Sequence, residues 1–145
     1  MLHDFLFPIT LLLILTFTST KARASEVVHV FILAGQSNMV GAGEVESNPS
    51  RNGGKGSLQW LTENSSTQDT YSHLRTNTGA WAQRDDVLIW FLDRKGPLEP
   101  AYGSNPNKIG PELGFGWTIG DAFEEPVLLI KIAWGEPDDL DEERN

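Results

Sequence analysis

The chain has no cysteine in 145 residues, which excludes disulfides, thiolate metal sites and a lipid-modified N-terminal cysteine. Basic residues are scarce: 11 Lys and Arg stand against 20 Asp and Glu, for a formal charge of −9. That balance argues against nucleic acid or an anionic membrane surface as a partner. The acidic residues gather in the C-terminal tail without the His-rich spacing of a catalytic metal site, so neither a metal nor another cofactor is expected. Internal repeats, heptads and a phosphate-binding glycine loop are also missing. The long apolar stretch Phe5 to Thr18 is too short for a comfortable bilayer span. It runs into Ser19-Thr20-Lys21-Ala22-Arg23-Ala24, the small-x-small pattern of a signal-peptidase site. Residues 1–24 are therefore expected to be a signal peptide cleaved after Ala24, exporting the protein to periplasm or medium. An n-region with no Lys or Arg leaves an uncleaved N-terminal membrane anchor as the alternative. Loss of Asp4, Lys21 and Arg23 would take the charge from −9 to about −10.

What is present is the make-up of one globular domain, 39% hydrophobic and 21% charged. Three β-branched, nearly uninterrupted apolar runs predict buried strands: Val27 to Ala34, Val87 to Leu92 and Val127 to Ala133. The first reads as a strand covered on both faces, as in a parallel sheet. Between the first two, residues 41–80 are rich in Gly, Ser, Asn and Thr and read as mostly loop. The island Leu58-Gln59-Trp60-Leu61 pins that loop to the core, and Trp81 does the same; stacking on a sugar is the alternative role for either tryptophan. Asp85-Asp86 reads as a solvated strand start, at the wrong end of the sheet for a catalytic pair. Gly96 to Gly103 reads as a loop able to line a pocket. Gly110-Pro111-Glu112 opens a helix with Pro in its first turn and an acidic residue suited to the dipole. It is expected to run to about Ala122, with Leu113, Trp117 and Ile119 facing a sheet and Gly114, Gly116 and Gly120 allowing close approach. Alternating strands and helix favour a three-layer α/β domain with a parallel sheet over residues 25–135.

The chemistry centres on Phe31-Ile32-Leu33-Ala34-Gly35-Gln36-Ser37-Asn38-Met39. Gly35 permits a sharp turn where the first strand ends, and Ser37-Asn38 suit the cap of a following helix. Ligands in parallel sheets bind at the strands' carboxyl ends. Ser37 is thus the candidate nucleophile, with free N–H groups nearby for a developing oxyanion. The plain alternative is a strand-to-helix turn in which Ser37 is only a cap.

Gly35-Gln36-Ser37-Asn38-Met39 resembles the first block of the sialate O-acetylesterase-like carbohydrate esterases, a branch of the SGNH hydrolases. In that family the serine of G-Q-S-N is the nucleophile. Met39, where a second glycine would be needed, distinguishes it from the G-x-S-x-G elbow of α/β-hydrolases. Arg84 to Val87, Ile109 to Gly116 and Glu125 to Gly135 are similar to later family segments and follow in family order. The resemblance implies an α/β fold of SGNH-hydrolase type and a substrate that is an acetylated carbohydrate, with sialate or xylan esters as candidates. By motif, Ser37 is the nucleophile, the backbone N–H groups of Ser37 and Gly135 are oxyanion donors, and Gln36, Asn38 and Glu112 are possible supports.

The family's later Q-G-E block and its D-x-x-H block, which carries the base, have no counterpart here. After Gly135 the chain continues as Glu136-Pro137-Asp138-Asp139-Leu140-Asp141-Glu142-Glu143-Arg144-Asn145, an acidic tail with almost nothing to bury. The sequence is accordingly expected to be an N-terminal portion of the enzyme, incomplete at the C-terminus and weak or inactive alone. A serine without a base is a poor nucleophile. His3 falls in the expected signal peptide, and His29 begins the first strand, on the order of 20 Å of extended chain from its far end. Asp69-Thr70-Tyr71-Ser72-His73 has the wrong spacing for the acid-base block and precedes two strands that it ought to follow. A non-catalytic carbohydrate-binding or interaction module on the same fold is the competing function.

Overall fold

The computed structural model describes residues 27–135. The expected signal peptide over 1–24 and the acidic tail over 136–145 lie outside the described residues.

Strand β1 (His29–Gly35) is followed by a one-turn helix α1 (Ser37–Val40) and the short β2 (Gly43–Glu44). The polar stretch then forms α2 (Leu58–Glu63) and α3 (Gln68–Tyr71). Next come the hairpin strands β3 (Arg84–Phe91) and β4 (Arg94–Leu98), the short β5 (Lys108–Ile109), helix α4 (Pro111–Gly120) and β6 (Val127–Ala133). Four strands make the main sheet in the order β1-β6-β3-β4, and β2 pairs with β5. β6 runs parallel to both β1 and β3, while β4 is antiparallel to β3. This is an α/β fold with a mostly parallel sheet, as expected, and its last strand occupies the centre.

Helix α4 packs on β3 and β6, and α1 on β1 and β6. The side they cover holds Val87, Ile89, Phe91, Val127, Leu129 and Ala133, all buried. Leu113 joins this core, whereas Trp117 and Ile119 are only partly buried against it. A Cβ on Gly116 would stand 2.3 Å from Leu98, so this glycine lets helix and sheet approach; one on Gly114 would meet nothing. The expected helix ends at Gly120 rather than Ala122.

Two expectations about the strands need correction. β1 is not covered on both faces: its burial alternates, and Val30 and Ile32 are 53% and 65% exposed. Register aligns Val30 with Leu128 and Leu88, and Ile32 with Ile130 and Trp90, into one apolar face on which no described helix packs. A continuous apolar run encodes two apolar faces, and the described residues fill one.

Gly96 to Leu98 is strand rather than loop. Leu92-Asp93 forms a two-residue hairpin turn with Leu92 at φ 55°, a conformation for which the usual signals are Asn-Gly or Asp-Gly. Pro97 is tolerated because β4 is the edge strand.

Asp85 and Asp86 stand at a solvated strand start, as expected: β3 begins at Arg84, whose guanidinium holds Asp86 and Asp121 and donates to Trp117 O at 3.1 Å. Asp85 and Asp86 remain exposed, at the end of the sheet opposite Gly35.

The segment after α1, expected to be mostly loop, contains short helices. Ser57 caps α2 by accepting from Trp60 N–H at 3.1 Å, and Leu58 is buried in the core. Trp81 lies partly buried, with the Arg75 guanidinium 3.3 Å from its ring centroid and its Nε1 donating to Glu46 at 3.0 Å. Leu58 and Trp81 therefore tie the loop down.

Candidate active site

Gly35 is the last paired residue of β1 and lies opposite Ala133 of β6. The chain turns immediately. Met39 and Val40 both donate backbone N–H to Gln36 O, at 2.7 and 3.0 Å, and Gly41 N–H donates to Ser37 O at 3.0 Å. A Cβ on Gly35 would stand 2.8 Å from Met39 Cβ, so a side chain there would push the turn off the strand.

Ser37 occupies the first position of that turn and is exposed, as are Gln36 and Asn38. Among the described residues its hydroxyl has no hydrogen-bond partner. The capping role weighed for Ser37 is not realised: Gln36 is the N-cap, and no side chain caps the turn. A helix of four residues carries little macrodipole, so the useful feature is its first N–H groups, which have no acceptor within the helix.

On the neighbouring strand, Trp134 N–H donates to Gly35 O at 3.3 Å, extending the parallel pairing past Ala133. Ser37 and Gly135 each lie two residues beyond the Gly35–Ala133 pair, at the same end of the sheet. Gly135 is half-buried there.

Glu112 is not a solvent-facing first-turn charge. It is 1% exposed, its Oε1 accepts from Gly110 N–H at 2.7 Å, and its Oε2 accepts from Lys131 Nζ at 2.6 Å. Lys131 also donates to Val40 O at 2.8 Å and Tyr102 O at 2.7 Å, using all its ammonium hydrogens. Burial pulls the Lys131 ammonium below the ordinary lysine value of 10.5, and the hydrogen bond and charge of Glu112 oppose that shift. Lys131 escaped the motif-based reading. Its signal was a lysine in step with the inward residues Leu129 and Ala133.

The histidines are placed elsewhere. His29 begins β1, stacks on Phe123 at 3.9 Å and faces Glu125 at 3.4 Å, at the opposite end of the strand from Ser37. His73 stacks edge-on against Trp117, the residue whose carbonyl holds Arg84 at the start of β3. A cleft lined by Glu44, Asn48, Arg51, Lys55 and Ser57 includes none of the candidate residues. Among the described residues there is no His, Cys, Asp or Glu cluster fit for a metal ion.

The family model of a carbohydrate esterase, sialic acid-specific acetylesterase, matches residues 27–138. The chain belongs to that family. No curated protein and no solved structure matches it. For this member of the sialic acid-specific acetylesterase family, membership implies hydrolase chemistry on an acetylated carbohydrate. The family match spans every described residue, including Ser37, Glu112, Lys131 and Gly135.

Proposed function

We propose that this acetylesterase-family chain provides the nucleophilic half of a serine esterase site, with Ser37 attacking the acetyl carbonyl of a carbohydrate ester such as an acetylated sialate or xylan. The observation carrying this reading is an exposed Ser37 hydroxyl, without a hydrogen-bond partner among the described residues, at the carboxyl end of β1 and next to the strand that leads to Gly135. Attack forms the Ser37 Oγ–acyl bond and pushes charge onto the carbonyl oxygen. The N–H groups of Ser37 and Gly135 receive that charge where it develops, as an oxyanion hole requires. Collapse releases the sugar hydroxyl, and water then cleaves the acetyl-serine to acetate.

The reaction needs an acceptor for the Ser37 proton. Among the described residues His29 and His73 are both positioned away from Ser37, so neither takes that proton. The export pattern over residues 1–24 suits a substrate on an extracytoplasmic glycan.

A fluorophosphonate probe tests this reading, because it phosphonylates an activated serine without needing the natural substrate. Labelling followed by peptide mass spectrometry should find the adduct on Ser37, absent in Ser37→Ala, and faster with added imidazole as an external base. No Ser37-dependent adduct at any imidazole concentration would overturn the esterase reading and favour the binding module.

A further inference from the structure

We infer that the buried Lys131–Glu112 pair is the device that holds the Ser37 turn in place, so that both are positioning residues for the nucleophile. The inference rests on the esterase reading above for its functional meaning, but its geometry stands independently.

A one-turn helix is a poor platform. It cannot sustain itself, because a single turn fixes several dihedrals for very few hydrogen bonds. Its last carbonyls also lack partners within the helix. In α1 the Val40 carbonyl is such an orphan, and Lys131 Nζ reaches it from the middle of β6 at 2.8 Å. The next residue, Gly41, is held through its own carbonyl by Ser104 N–H at 2.8 Å. The turn is therefore tied to the sheet at both ends, through Gly35 on β1 at one and through Val40 on Lys131 at the other.

Glu112 makes this possible. A buried ammonium with only carbonyl partners would be poorly compensated, whereas a carboxylate at 2.6 Å balances its charge. Glu112 is itself fixed by Gly110 N–H, and a Cβ on Gly110 would stand 2.6 Å from Glu112 Oε2 and 3.1 Å from Lys131 Nζ. The G-P-E segment thus reaches the site indirectly. It aims a carboxylate at the lysine that aims the nucleophile's turn.

The test uses the full chain with Glu112→Gln, and with Lys131→Met/Glu112→Gln, in which neither charge is left buried alone. Hydrogen exchange is read at the Val40 and Gly41 amides, whose acceptors are Gln36 O and Ser37 O, against core amides of β3 such as Ile89. Positioning predicts at least a ten-fold faster exchange at Val40 and Gly41 in both variants, with the β3 amides much less affected, and a matching fall in Ser37 phosphonylation. Unchanged exchange at the turn, or an equal rise at turn and strand, would overturn it, since the pair would then serve global stability alone. If the unaltered protein shows no Ser37 labelling, the esterase reading fails while the exchange comparison still decides whether the pair holds the turn.

Discussion

Gly41 and Gly110 meet backbone against backbone: a Cβ added to Gly41 would stand 2.2 Å from Gly110 Cα. This contact joins the end of the Ser37 turn to the start of α4, directly above the Lys131–Glu112 pair. Gly41 also has φ +84°, a conformation that a side chain resists. Gly79 shares that φ of +84° but faces open space. Gly79→Ala should therefore cost only the backbone term, about 1 kcal/mol. Gly41→Ala should cost about 2 kcal/mol more, because overpacking is added to it. Urea unfolding midpoints of the two variants compare them directly, and equal losses would mean that the glycines do not touch.

Ser37→Ala should leave stability within about 0.5 kcal/mol of the unaltered chain, because the hydroxyl is exposed and makes no bond among the described residues. The same change should abolish phosphonylation at that position. A melting temperature measured alongside labelling separates the two effects. A large stability loss would indicate a structural serine.

The face of the sheet on which no described helix packs predicts self-association. Val30, Ile32, Leu88 and Trp90 expose large apolar side chains on one surface, and contiguous exposed apolar surface favours association. Val30→Thr/Ile32→Thr retains β-branched residues and should raise the concentration at which the chain stays monomeric, at little cost in stability. Light scattering after size exclusion reads the change; unaltered association would place the sticky surface elsewhere, for example at the β1 edge.

Arg84 holds the Asp86 carboxyl below its usual value of 3.8, chiefly through their hydrogen bond. A depressed carboxylate contributes stability above its unfolded pKa and loses it as pH falls through the folded value. Asp86 is about half exposed, which limits the contribution to less than about 1 kcal/mol. Asp86→Asn should thus be slightly destabilising at pH 7, and its difference from the unaltered chain should shrink as pH drops below 3.8. Urea titrations at the two pH values check this.

The three parallel strands could be read from apolar runs because β-branched residues in sequence have few alternatives to a buried sheet. β4 could not, since a turn through Leu92 and Asp93 carries none of the residues that announce a hairpin, and Gly96-Pro97 looks like loop punctuation. The turn that carries Ser37 was legible because a glycine ending an apolar run and the small polar residues after it form a local arrangement. Lys131 was not, because its partners Val40, Tyr102 and Glu112 lie 91, 29 and 19 residues away along the chain.

By itself the sequence determined the strand-forming runs, the sharp turn after Gly35 and the family segments, since each rests on neighbours within a few residues. Tertiary structure alone decided that β6 enters the sheet between β1 and β3, that Ala133 pairs with Gly35, and that Glu112 faces a buried ammonium. The reason is physical: strand order and the pairing of buried charges depend on contacts across long loops, where local propensity has no voice and only the shared burial of distant residues selects one arrangement.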